Sequence, residues 1–358
     1  MLKSKKDLNN TAIVCLSPYS GGMEIDSIKL AKKLSSHTNI VLVAKKDKFI
    51  ANRYLDYVSV DSVALETLNF MNSISLSIFF RMREIIKKYN IKNVIFFGAS
   101  ELKSLYFAFL GFDINLIVRH GTTKSRPKKD WFHRLIYSGV NYHISICKHL
   151  QKNVECIIPF GINSKSILIY PSLEIKDITK VQHEKVALVH VGRVARGKGQ
   201  SDAILACEIL AKNNIDFVFY IVGGFDEKYQ DEFMRLYNSL EYKDKIELVG
   251  FTNEVNSYLA KSDIFLFPSY GEGLSNAFLE ALNANLYCIS YANTSFPELK
   301  ELGFEFALAN NQDLNDLENV LLKSVHNLNN ENILKNKDYI DKLFSTQREV
   351  DEYLSCLI

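Results

Sequence analysis

The sequence lacks the cysteine patterns of zinc-binding and disulfide-rich proteins. Its six cysteines are scattered over 358 residues, with no C-x-x-C pair and no zinc-ligand spacing. Most of them lie in apolar segments, as is typical of small core residues in a reduced intracellular protein. We therefore expect neither structural zinc nor disulfides, and a cytoplasmic location.

Long hydrophobic runs are also absent. No apolar stretch reaches the roughly eighteen residues that a membrane-spanning helix needs. The first residues, MLKSKKDLNN, are basic but have no apolar core of a signal peptide, so we expect no secretion signal. Hydrophobic residues make up 47% of the chain and charged residues 23%, which indicates a globular protein with two domains of ordinary size.

Several nucleotide-binding and hydrolytic motifs are missing as well. The segment VARGKGQS (194–201) lacks both the first glycine and the GK[ST] ending of a Walker A loop, and GxGxxG does not occur. Neither HExxH nor GxSxG is present. The sequence therefore gives no support to a P-loop NTPase, a zinc protease or a serine hydrolase.

Positive charge is concentrated in one half of the chain. Residues 1–150 contain 23 lysines and arginines against 11 acidic residues, whereas residues 151–358 contain 20 against 30. A basic half is suited to a phosphorylated substrate or an anionic membrane surface. The alternative is that lysine is simply a common surface residue in this chain.

Apolar strand-like runs alternate with helical patterns along the whole sequence. This order predicts an α/β protein with two doubly wound, Rossmann-like domains in tandem and a deep cleft between them. We predict strands at 12–16, 40–44, 93–97, 115–118, 142–147 and 156–159, and then at 186–191, 217–222, 246–249, 263–267 and 286–291. We predict helices at 23–34, 75–89, 99–110, 131–138, 201–213, 227–240 and 255–261, and a largely helical tail over 314–356.

The segment PSYGEGLSNAFLEA (268–281) is the most informative stretch. It follows a buried strand, turns at its glycines and enters a helix that Ser275 or Asn276 can cap. A helix N-terminus at the carboxyl edge of a parallel sheet suits a phosphate. The carboxylates Glu272 and Glu280 suit the hydroxyls of a sugar nucleotide, although Glu280 could instead complement the helix dipole and Glu272 could be solvated.

Glycine follows a predicted strand four times in the second half, at Gly192, Gly223, Gly250 and Gly271. Because parallel strands end at the same edge, we expect these glycines to lie along that edge. Arg193 and Lys198 follow the first of them and could neutralise a diphosphate leaving group without a metal. The alternative is that both are solvated loop cations.

Several segments, in this order and spacing, resemble glycosyltransferase family 4, whose second domain is called glycosyl transferases group 1. The resemblance implies the GT-B fold and a retaining transfer from a nucleotide sugar, with Glu272 and Glu280 as the Glu-x7-Glu signature. It also implies domains of 1–165 and 166–339, with a helix at about 340–358 that returns to the first. The segments are SPYSGGMEIDSIKLAKKL (17–34), IIPFGIN (157–163), VGRVARGKGQSDAI (191–204), FYIVGG (219–224), IELVGFTNEVNSYLAKSDIFLFPSYGEGLSNAFLEAL (246–282), FPELKELG (296–303) and LFSTQREVDEYLSCL (343–357).

The resemblance also assigns roles to individual donor-site residues. Arg193 and Lys198 are expected to hold the diphosphate, Glu280 the ribose, and Glu272 the transferred sugar. Gly22 is expected to meet the phosphates from across the cleft. The backbone of Gly250, Phe251 and Thr252 is expected to contact the base, and that of Gly192 the phosphates. The backbone N–H groups near the sugar and phosphates are expected to be those of Gly273, Leu274, Ser275 and Asn276.

The acceptor is expected to bind the first domain near Gly21, His120, Lys124 and Arg126. The resemblance makes His120 a catalytic candidate beside Glu272, Arg193 and Lys198, although it could be a structural histidine at a strand end. Trp131, in the basic segment that follows, could insert at a membrane interface, stack on a sugar or belong to the core.

The sequence therefore predicts a retaining glycosyltransferase. We expect it to move a hexose-type sugar from a UDP-sugar to a glycan or lipid-linked acceptor in bacterial surface-polysaccharide or lipopolysaccharide synthesis. We expect no metal, no cofactor and no nucleic acid partner, and peripheral contact with the inner face of the cytoplasmic membrane. The alternatives are a GT-B sugar-nucleotide epimerase and a non-catalytic nucleotide- or glycan-binding protein.

Overall fold

The chain forms two compact units. A computed structural model describes residues 9–19, 21–59, 61–98, 100–174, 178–328 and 331–358. The first unit comprises Met1–Pro171 and Thr346–Ile358, and the second comprises Ser172–Ser345. The predicted boundaries, at 165/166 and about 339/340, lie a few residues before the observed ones.

A parallel sheet forms the centre of the first unit. Within its described residues the strands are β1 (Thr11–Cys15), β2 (Ile40–Lys45), β3 (Val63–Leu68), β4 (Asn93–Phe97), β5 (Asn115–His120), β6 (Tyr142–Ser145) and β7 (Lys165–Leu168). Their spatial order is β3-β2-β1-β4-β5-β6-β7. The order reverses between β1 and β4, and ligands of open α/β sheets bind at the carboxyl ends of strands near such a point.

Helices cover both faces of this sheet. They are α1 (Gly22–Leu34), α2 (Phe49–Arg53), α3 (Leu76–Tyr89), α4 (Leu102–Phe109), α5 (Trp131–Tyr137) and α6 (Lys148–Ile157), with a C-terminal helix at Thr346–Ser355. One hydrophobic core joins α1, α2 and the C-terminal helix to the sheet, and a second core joins α3, α4, α5 and α6. The C-terminal helix therefore completes the first unit, on the face opposite α3–α5.

The second unit repeats the same topology. Its strands are β8 (Val186–Val191), β9 (Phe217–Val222), β10 (Ile246–Gly250), β11 (Ile264–Phe267), β12 (Tyr287–Tyr291) and β13 (Ala307–Ala309), parallel and in the order β10-β9-β8-β11-β12-β13. Its helices are α7 (Gln200–Ala206), α8 (Glu208–Lys212), α9 (Glu227–Ser239), α10 (Val255–Ala260), α11 (Asn276–Asn283), α12 (Phe296–Glu301), α13 (Leu314–His326) and α14 (Lys335–Leu343). Short 3-10 helices lie at Tyr54–Asp56, Lys243–Lys245 and Glu331–Leu334.

The predicted strand at 156–159 is wrong. Residues up to Ile157 belong to α6, because Leu150 and Val154 lie four residues apart and both face the core. The strand that completes this edge of the sheet is β7, in a segment for which the sequence analysis predicted no strand. Of the six cysteines, Cys156 is exposed and the other five are buried.

Four other elements were not predicted, because each is short or partly polar. Strand β3 is at the sheet edge and contains Glu66, whose carboxylate is bound by Arg81, Lys88 and Tyr89. The others are α2, α12 and β13. The helix predicted at 201–213 is divided at Cys207 into α7 and α8. In the described part of the chain, no helix is both long and apolar enough to cross a membrane.

Candidate active site

The glycine-bearing loop after β8 packs tightly on the loop after β11. A Cβ atom at Gly199, whose φ is +83°, would lie 2.1 Å from the carbonyl oxygen of Pro268. A Cβ at Gly223, with φ +150°, would lie 2.0 Å from the carbonyl oxygen of Gly192. Only glycine permits these approaches. The backbones that follow β8, β9 and β11 are therefore brought together at the carboxyl edge of the sheet, as the sequence analysis predicted.

Lys198 and Glu272 form an ion pair across these loops. The Lys198 ammonium lies 2.6 Å from Oε1 of Glu272, and the hydroxyl of Ser269 lies 3.2 Å from the same oxygen. The Lys198 side chain is 35% exposed and that of Glu272 is 15% exposed. The pair thus presents a cation that solvent reaches, beside a carboxylate that is already held in place.

A buried histidine supports the loop that carries Lys198. Nε2 of His190, on β8, lies 3.0 Å from the Lys198 carbonyl oxygen, which can only accept, so Nε2 is the protonated ring nitrogen. Burial lowers the pKa of His190 to about 4. The ring packs on Phe267, with centroids 4.8 Å apart. His190 is therefore a neutral donor that fixes the backbone beneath the ammonium group.

The loop after β11 ends in a capped helix. The Ser275 hydroxyl accepts a hydrogen bond from the Phe278 N–H at 3.3 Å, which makes Ser275 the N-cap of α11. The Glu272 N–H donates to the Thr294 hydroxyl at 3.2 Å. Glu280 lies in α11 and is half-buried. This helix N-terminus, Glu272 and Lys198 are consequently assembled from neighbouring loops of one sheet edge.

A cavity of about 360 Å³ opens at the carboxyl ends of β8, β9 and β10. Four of the predicted donor residues line it, namely Gly192, Arg193, Phe251 and Thr252. Phe251 is 82% exposed, so its ring has one face available to a ligand. The other lining residues are Val191, Val222, Gly223, Gly224, Phe225 and Val255. Gly250 stands beside the cavity, because its carbonyl oxygen accepts from the Gly223 N–H at 2.9 Å.

Arg193 extends from the rim of this cavity into solvent. Its side chain is 67% exposed, and its nearest carboxylate contact is Nη1 to Oδ2 of Asp226 at 3.8 Å. The Gln200 side-chain amide donates to the Arg193 carbonyl oxygen at 3.0 Å. The backbone is thus fixed, and among the described residues the guanidinium makes only this long ion pair, which leaves it suited to an added anion.

In the first unit, His120 is buried in a pair with His143. Nε2 of His120 lies 3.0 Å from Nδ1 of His143, and the two rings are stacked. Burial, followed by the charge of Lys124, lowers the pKa of His120 well below its usual value, and the same causes lower that of His143 to about 3. Both imidazoles are therefore neutral at physiological pH. The other ring nitrogen of each is buried without a partner among the described residues.

The loop that follows His120 is held on α6 and presents lysines. The Lys124 N–H donates to Oδ1 of Asn153 at 2.8 Å, and the Asn153 amide donates back to the Lys124 carbonyl at 3.0 Å. The Lys128 N–H donates to the Ile157 carbonyl oxygen at 3.0 Å. Burial and then the charge of Lys128 lower the pKa of Lys124 to about 8, whereas Arg126 is exposed. The hydrogen bonds to α6 therefore hold the backbone of this positively charged loop in a defined conformation.

Gly21 and Gly22 begin α1 at the carboxyl end of β1. Gly21 is the N-cap residue, with extended backbone, and a Cβ at Gly22 would contact nothing within 4 Å. Behind them the buried Arg119 donates to Asp26 at 2.9 Å. Of the predicted acceptor residues, Gly21, Lys124 and Arg126 thus lie in loops that follow the carboxyl ends of β1 and β5, and His120 is the last residue of β5.

The structure adds residues that the sequence analysis missed, namely His143, His190, Gly199 and Thr294. Among them, His190 is the residue that the sequence indicates most clearly, because it is a polar residue in the apolar strand VALVHV just before the glycine loop. The described residues contain no cluster of three or more His, Cys, Asp or Glu side chains that could hold a metal ion.

Comparison with protein families identifies the second unit. Residues 172–339 match the family model described as glycosyl transferases group 1. The amylovoran biosynthesis glycosyltransferase AmsK of Erwinia amylovora is 33% identical over 201 residues, which are 54% of this chain and 45% of that protein. A Campylobacter jejuni protein is 31% identical over 144 residues, 38% of either chain. Its name is N-acetylgalactosamine-N,N'-diacetylbacillosaminyl-diphospho-undecaprenol 4-alpha-N-acetylgalactosaminyltransferase. The chain thus spans less than half the length of each of these curated relatives.

Comparison with solved structures covers nearly the whole chain. The crystal structure of Anabaena HepE in complex with UDP and glucose has a TM-score of 0.79 at 14% identity, covering 97% of this chain and 98% of that one. A structure described as a glycosyltransferase from Rickettsia africae has a TM-score of 0.83 at 16% identity, covering 98% of this chain and 97% of that one. The two sheets described above have Rossmann-like topology. The likeness confirms the predicted GT-B fold.

Proposed function

Because residues 172–339 form a domain of the glycosyl transferases group 1 family, we propose that the protein is a retaining glycosyltransferase. It moves a hexose-type sugar from a UDP-sugar to a glycan or lipid-linked acceptor in surface-polysaccharide or lipopolysaccharide synthesis. The observation that carries this proposal is the Lys198–Glu272 pair, held 2.6 Å apart at a capped helix N-terminus beside the cavity.

The donor nucleotide occupies the cavity in this proposal. Its base lies against Phe251 and the backbone of Gly250 and Thr252, because an exposed aromatic ring at the cavity suits a planar heterocycle. Glu280 accepts hydrogen bonds from the ribose hydroxyls. The diphosphate meets Arg193, Lys198 and backbone N–H groups. These groups are at Gly192 and, before and in the first turn of α11, at Gly273, Leu274, Ser275 and Asn276.

Bond breaking in the donor creates the charges that these groups stabilise. As the bond between the anomeric carbon and the phosphate oxygen lengthens, positive charge grows on the sugar and negative charge on the diphosphate. Lys198 and Arg193 stabilise the diphosphate in the transition state more than in the ground state, which is how they accelerate the reaction. No metal is assigned to this step. The Glu272 carboxylate remains beside the sugar and stabilises the positive charge that develops there.

In this proposal the anomeric configuration of the sugar is retained because the acceptor attacks by a front-face route. The acceptor hydroxyl attacks from the side that the diphosphate leaves, and a departing phosphate oxygen takes its proton. His120 is buried against His143, and its pKa lies well below the usual range, so it stays neutral and positions the loop that follows it and carries Lys124. A covalent glycosyl-enzyme trapped on Glu272 would rule this route out and replace it by double displacement.

The acceptor contacts the first unit in this proposal, at Gly21, Lys124 and Arg126, beside the strand end at which His120 is buried. Phosphate is the chemical group that ordered, half-buried lysines best recognise. The name of the Campylobacter jejuni relative includes a diphospho-undecaprenol acceptor, which supports a lipid-linked diphosphate here too. Such an acceptor requires peripheral contact with the inner face of the cytoplasmic membrane.

A panel of nucleotide sugars, offered without acceptor, tests the proposed function. Thermal shift and slow release of nucleoside diphosphate are measured for each donor, with and without EDTA. We expect one UDP-sugar to raise the melting temperature and to be slowly hydrolysed, with no effect of EDTA. Release of an altered nucleotide sugar would support the epimerase, and no response to any donor would support a protein without this activity.

A further inference from the structure

Glu272 lies between two glycines in a loop without regular structure. Gly271 precedes it and Gly273 follows it, and residues 268–275 form neither helix nor strand. Glycine has access to more backbone conformations than any other residue, so this segment does not fix its own path. The direction of the Glu272 side chain therefore depends on contacts that other loops make with this segment.

Thr294, in the loop after β12, makes such a contact although 22 residues separate it from Glu272. The Glu272 N–H donates to the Thr294 hydroxyl at 3.2 Å, and that hydroxyl donates to Oδ1 of Asn293 at 3.0 Å. A Cβ atom at Gly271 would lie 3.6 Å from Cγ2 of Thr294, so the methyl group lies beside the same loop. Both branches of the threonine side chain thus lie against the segment that carries Glu272.

The Asn293 side chain holds Thr294 in place. Its amide nitrogen donates to the Ser269 carbonyl oxygen at 2.8 Å and to Oδ1 of Asn311 at 2.7 Å. Its own Oδ1 accepts from Thr294, so both amide protons and the carbonyl oxygen have partners. These bonds connect the loops that follow β11, β12 and β13. The hydroxyl that receives the Glu272 N–H is therefore part of a network that joins three neighbouring strand ends.

The backbone of Thr294 has a conformation that is unusual for threonine. Its φ is +47°, and the Phe296 N–H donates to the Asn293 carbonyl oxygen at 3.1 Å, which closes a turn with Thr294 as its second residue. Turns with a positive φ at that position are dominated by glycine, asparagine and aspartate. Strain of this kind is concentrated at functional sites, where the surrounding contacts enforce it. Within the described ranges, the other non-glycine residues at positive φ, none of them β-branched, are Asp47, Asn90, Asn214, Asn285 and Gln312.

We propose that Thr294 is a positioning residue for the Glu272 carboxylate. The hydrogen bond to Thr294 fixes the main chain of Glu272, and the carboxylate then lies where the Lys198 ammonium meets it at 2.6 Å. When the donor diphosphate draws Lys198 away, the carboxylate keeps its place beside the transferred sugar because its backbone is still held. Without the hydroxyl, the glycine-flanked segment adopts other conformations and the carboxylate leaves the sugar. The inference rests on the proposed function for the role of Glu272 in sugar transfer, but not for the hydrogen bond itself.

Three substitutions of Thr294 separate the effect of the hydroxyl from that of the strain. Thr294→Ser keeps the hydroxyl, Thr294→Val keeps the shape without it, and Thr294→Gly removes both the hydroxyl and the strain. We expect Thr294→Ser to keep the wild-type kcat for donor hydrolysis, and the other two variants to lower it about tenfold, because a misplaced group slows the reaction. The affinity for UDP, which carries no sugar, should be unchanged in all three. Thr294→Gly should nevertheless melt about 2–4 °C above Thr294→Val, because glycine adopts a positive φ without strain.

Hydrogen–deuterium exchange gives a readout that does not depend on activity. In the protein without ligand, we expect the amides of residues 268–276 to exchange faster in Thr294→Val and Thr294→Gly than in the wild type and Thr294→Ser. Asn214→Gly is the control, because Asn214 is an exposed residue at positive φ between α8 and β9. It should leave both the exchange of residues 268–276 and the kcat unaltered.

Either of two results would overturn the proposal. One is a Thr294→Val variant whose kcat or whose exchange equals that of the wild type. The other is a parallel loss of UDP affinity and kcat in Thr294→Val, because Thr294 would then support the whole donor site rather than Glu272. A wild type that hydrolyses no donor would contradict the proposed function instead. The exchange rates and melting temperatures would in that case still show whether Thr294 holds the main chain of Glu272.

Discussion

The two units share one sheet topology but differ in what their loops carry. The order β3-β2-β1-β4-β5-β6 in the first unit corresponds strand by strand to β10-β9-β8-β11-β12-β13 in the second. In the second unit, the loops at the carboxyl edge approach each other through Gly199 and Gly223 and hold an ion pair. In the first unit, the corresponding edge holds a buried neutral histidine pair, and also Lys124 and Lys128, for which the described residues supply no carboxylate partner.

The difference shows how one topology supports two kinds of binding. The parallel sheet determines where ligands bind, and the loops determine which ligand is bound. A cation paired with a carboxylate can exchange that partner for a diphosphate and regain it afterwards. Lysines with no such partner remain available to an anion that stays bound, such as a lipid phosphate. The following predictions test this division between the units.

The largest expected effect is that of Lys198→Ala. Removing the ammonium leaves the developing diphosphate charge without its main partner, so we expect kcat/KM to fall by about 10²–10³. The matched change in the first unit, Lys124→Ala, is expected to raise the KM for the acceptor and leave donor hydrolysis unchanged. Initial rates with varied donor and acceptor measure both. Equal loss of donor hydrolysis in the two variants would contradict the assignment of donor binding to the second unit and acceptor binding to the first.

Acid is expected to destabilise the first unit more than the second. The folded pKa is about 3 for His143 and about 4 for His190, against about 6.5 when unfolded. Between these values the unfolded chain binds more protons, so stability is complete above pH 6.5 and falls as pH falls. The loss reaches on the order of 3 kcal/mol per histidine by pH 4, and His120 adds to it in the first unit.

Urea unfolding at pH 7 and pH 4.5 measures this effect. His143→Gln keeps a hydrogen-bonding side chain but removes the titration, so its stability should depend less on pH than that of the wild type. A variant whose stability falls as steeply as that of the wild type would show that other groups, such as carboxylates, account for the acid sensitivity.

Two glycine substitutions are expected to have opposite effects. Gly199→Ala places a methyl group on the Pro268 carbonyl at a positive φ and should cost about 1–3 kcal/mol, with loss of donor binding. Gly22→Ala, at an open position in α1, should stabilise by about 0.5 kcal/mol through a smaller unfolded-state entropy. Thermal unfolding with and without UDP compares them. Equal changes of melting temperature in the two variants, with and without UDP, would mean that neither stability nor UDP binding depends on the close approach of Gly199 to the Pro268 carbonyl.

The smallest expected effect is that of Phe251→Ala. Loss of one exposed ring should raise the donor KM a few-fold, because a single aromatic contact is worth about 1 kcal/mol. The melting temperature should not change, since exposed side chains contribute little to stability. Trp131→Ala, a comparably exposed ring in the first unit, is the control and should leave the donor KM unaltered.

Much of the fold could be predicted because the strands are apolar runs separated by glycine and polar segments. Strands β4 and β9 were predicted with the bounds that the structure has, since asparagine or aspartate precedes or begins each run and glycine ends it. Strand β3 was missed because Glu66 interrupts its apolar pattern, and the cations that bind Glu66 come from α3, which is distant in sequence. The error at 156–159 arose because a short apolar run fits a strand as well as a helix.

The site was predictable in its residues but not in its contacts. The spacing of Glu272 and Glu280 and the cations near Gly192 could be found in the sequence, because they accompany strand ends. The pairing of Lys198 with Glu272 could not, since 74 residues separate them. Nor does a sequence show that His120 is paired with His143 and buried, because this depends on how β5 and β6 align.

Calorimetric titration with UDP, GDP and ADP tests the central claim most directly, that the second unit binds a nucleoside diphosphate at Lys198. The account predicts that wild type and Lys124→Ala bind UDP with equal affinity and that Lys198→Ala binds it at least about tenfold more weakly. It would be contradicted by a wild type that binds none of the three, or by a loss of affinity in Lys124→Ala that matches the loss in Lys198→Ala.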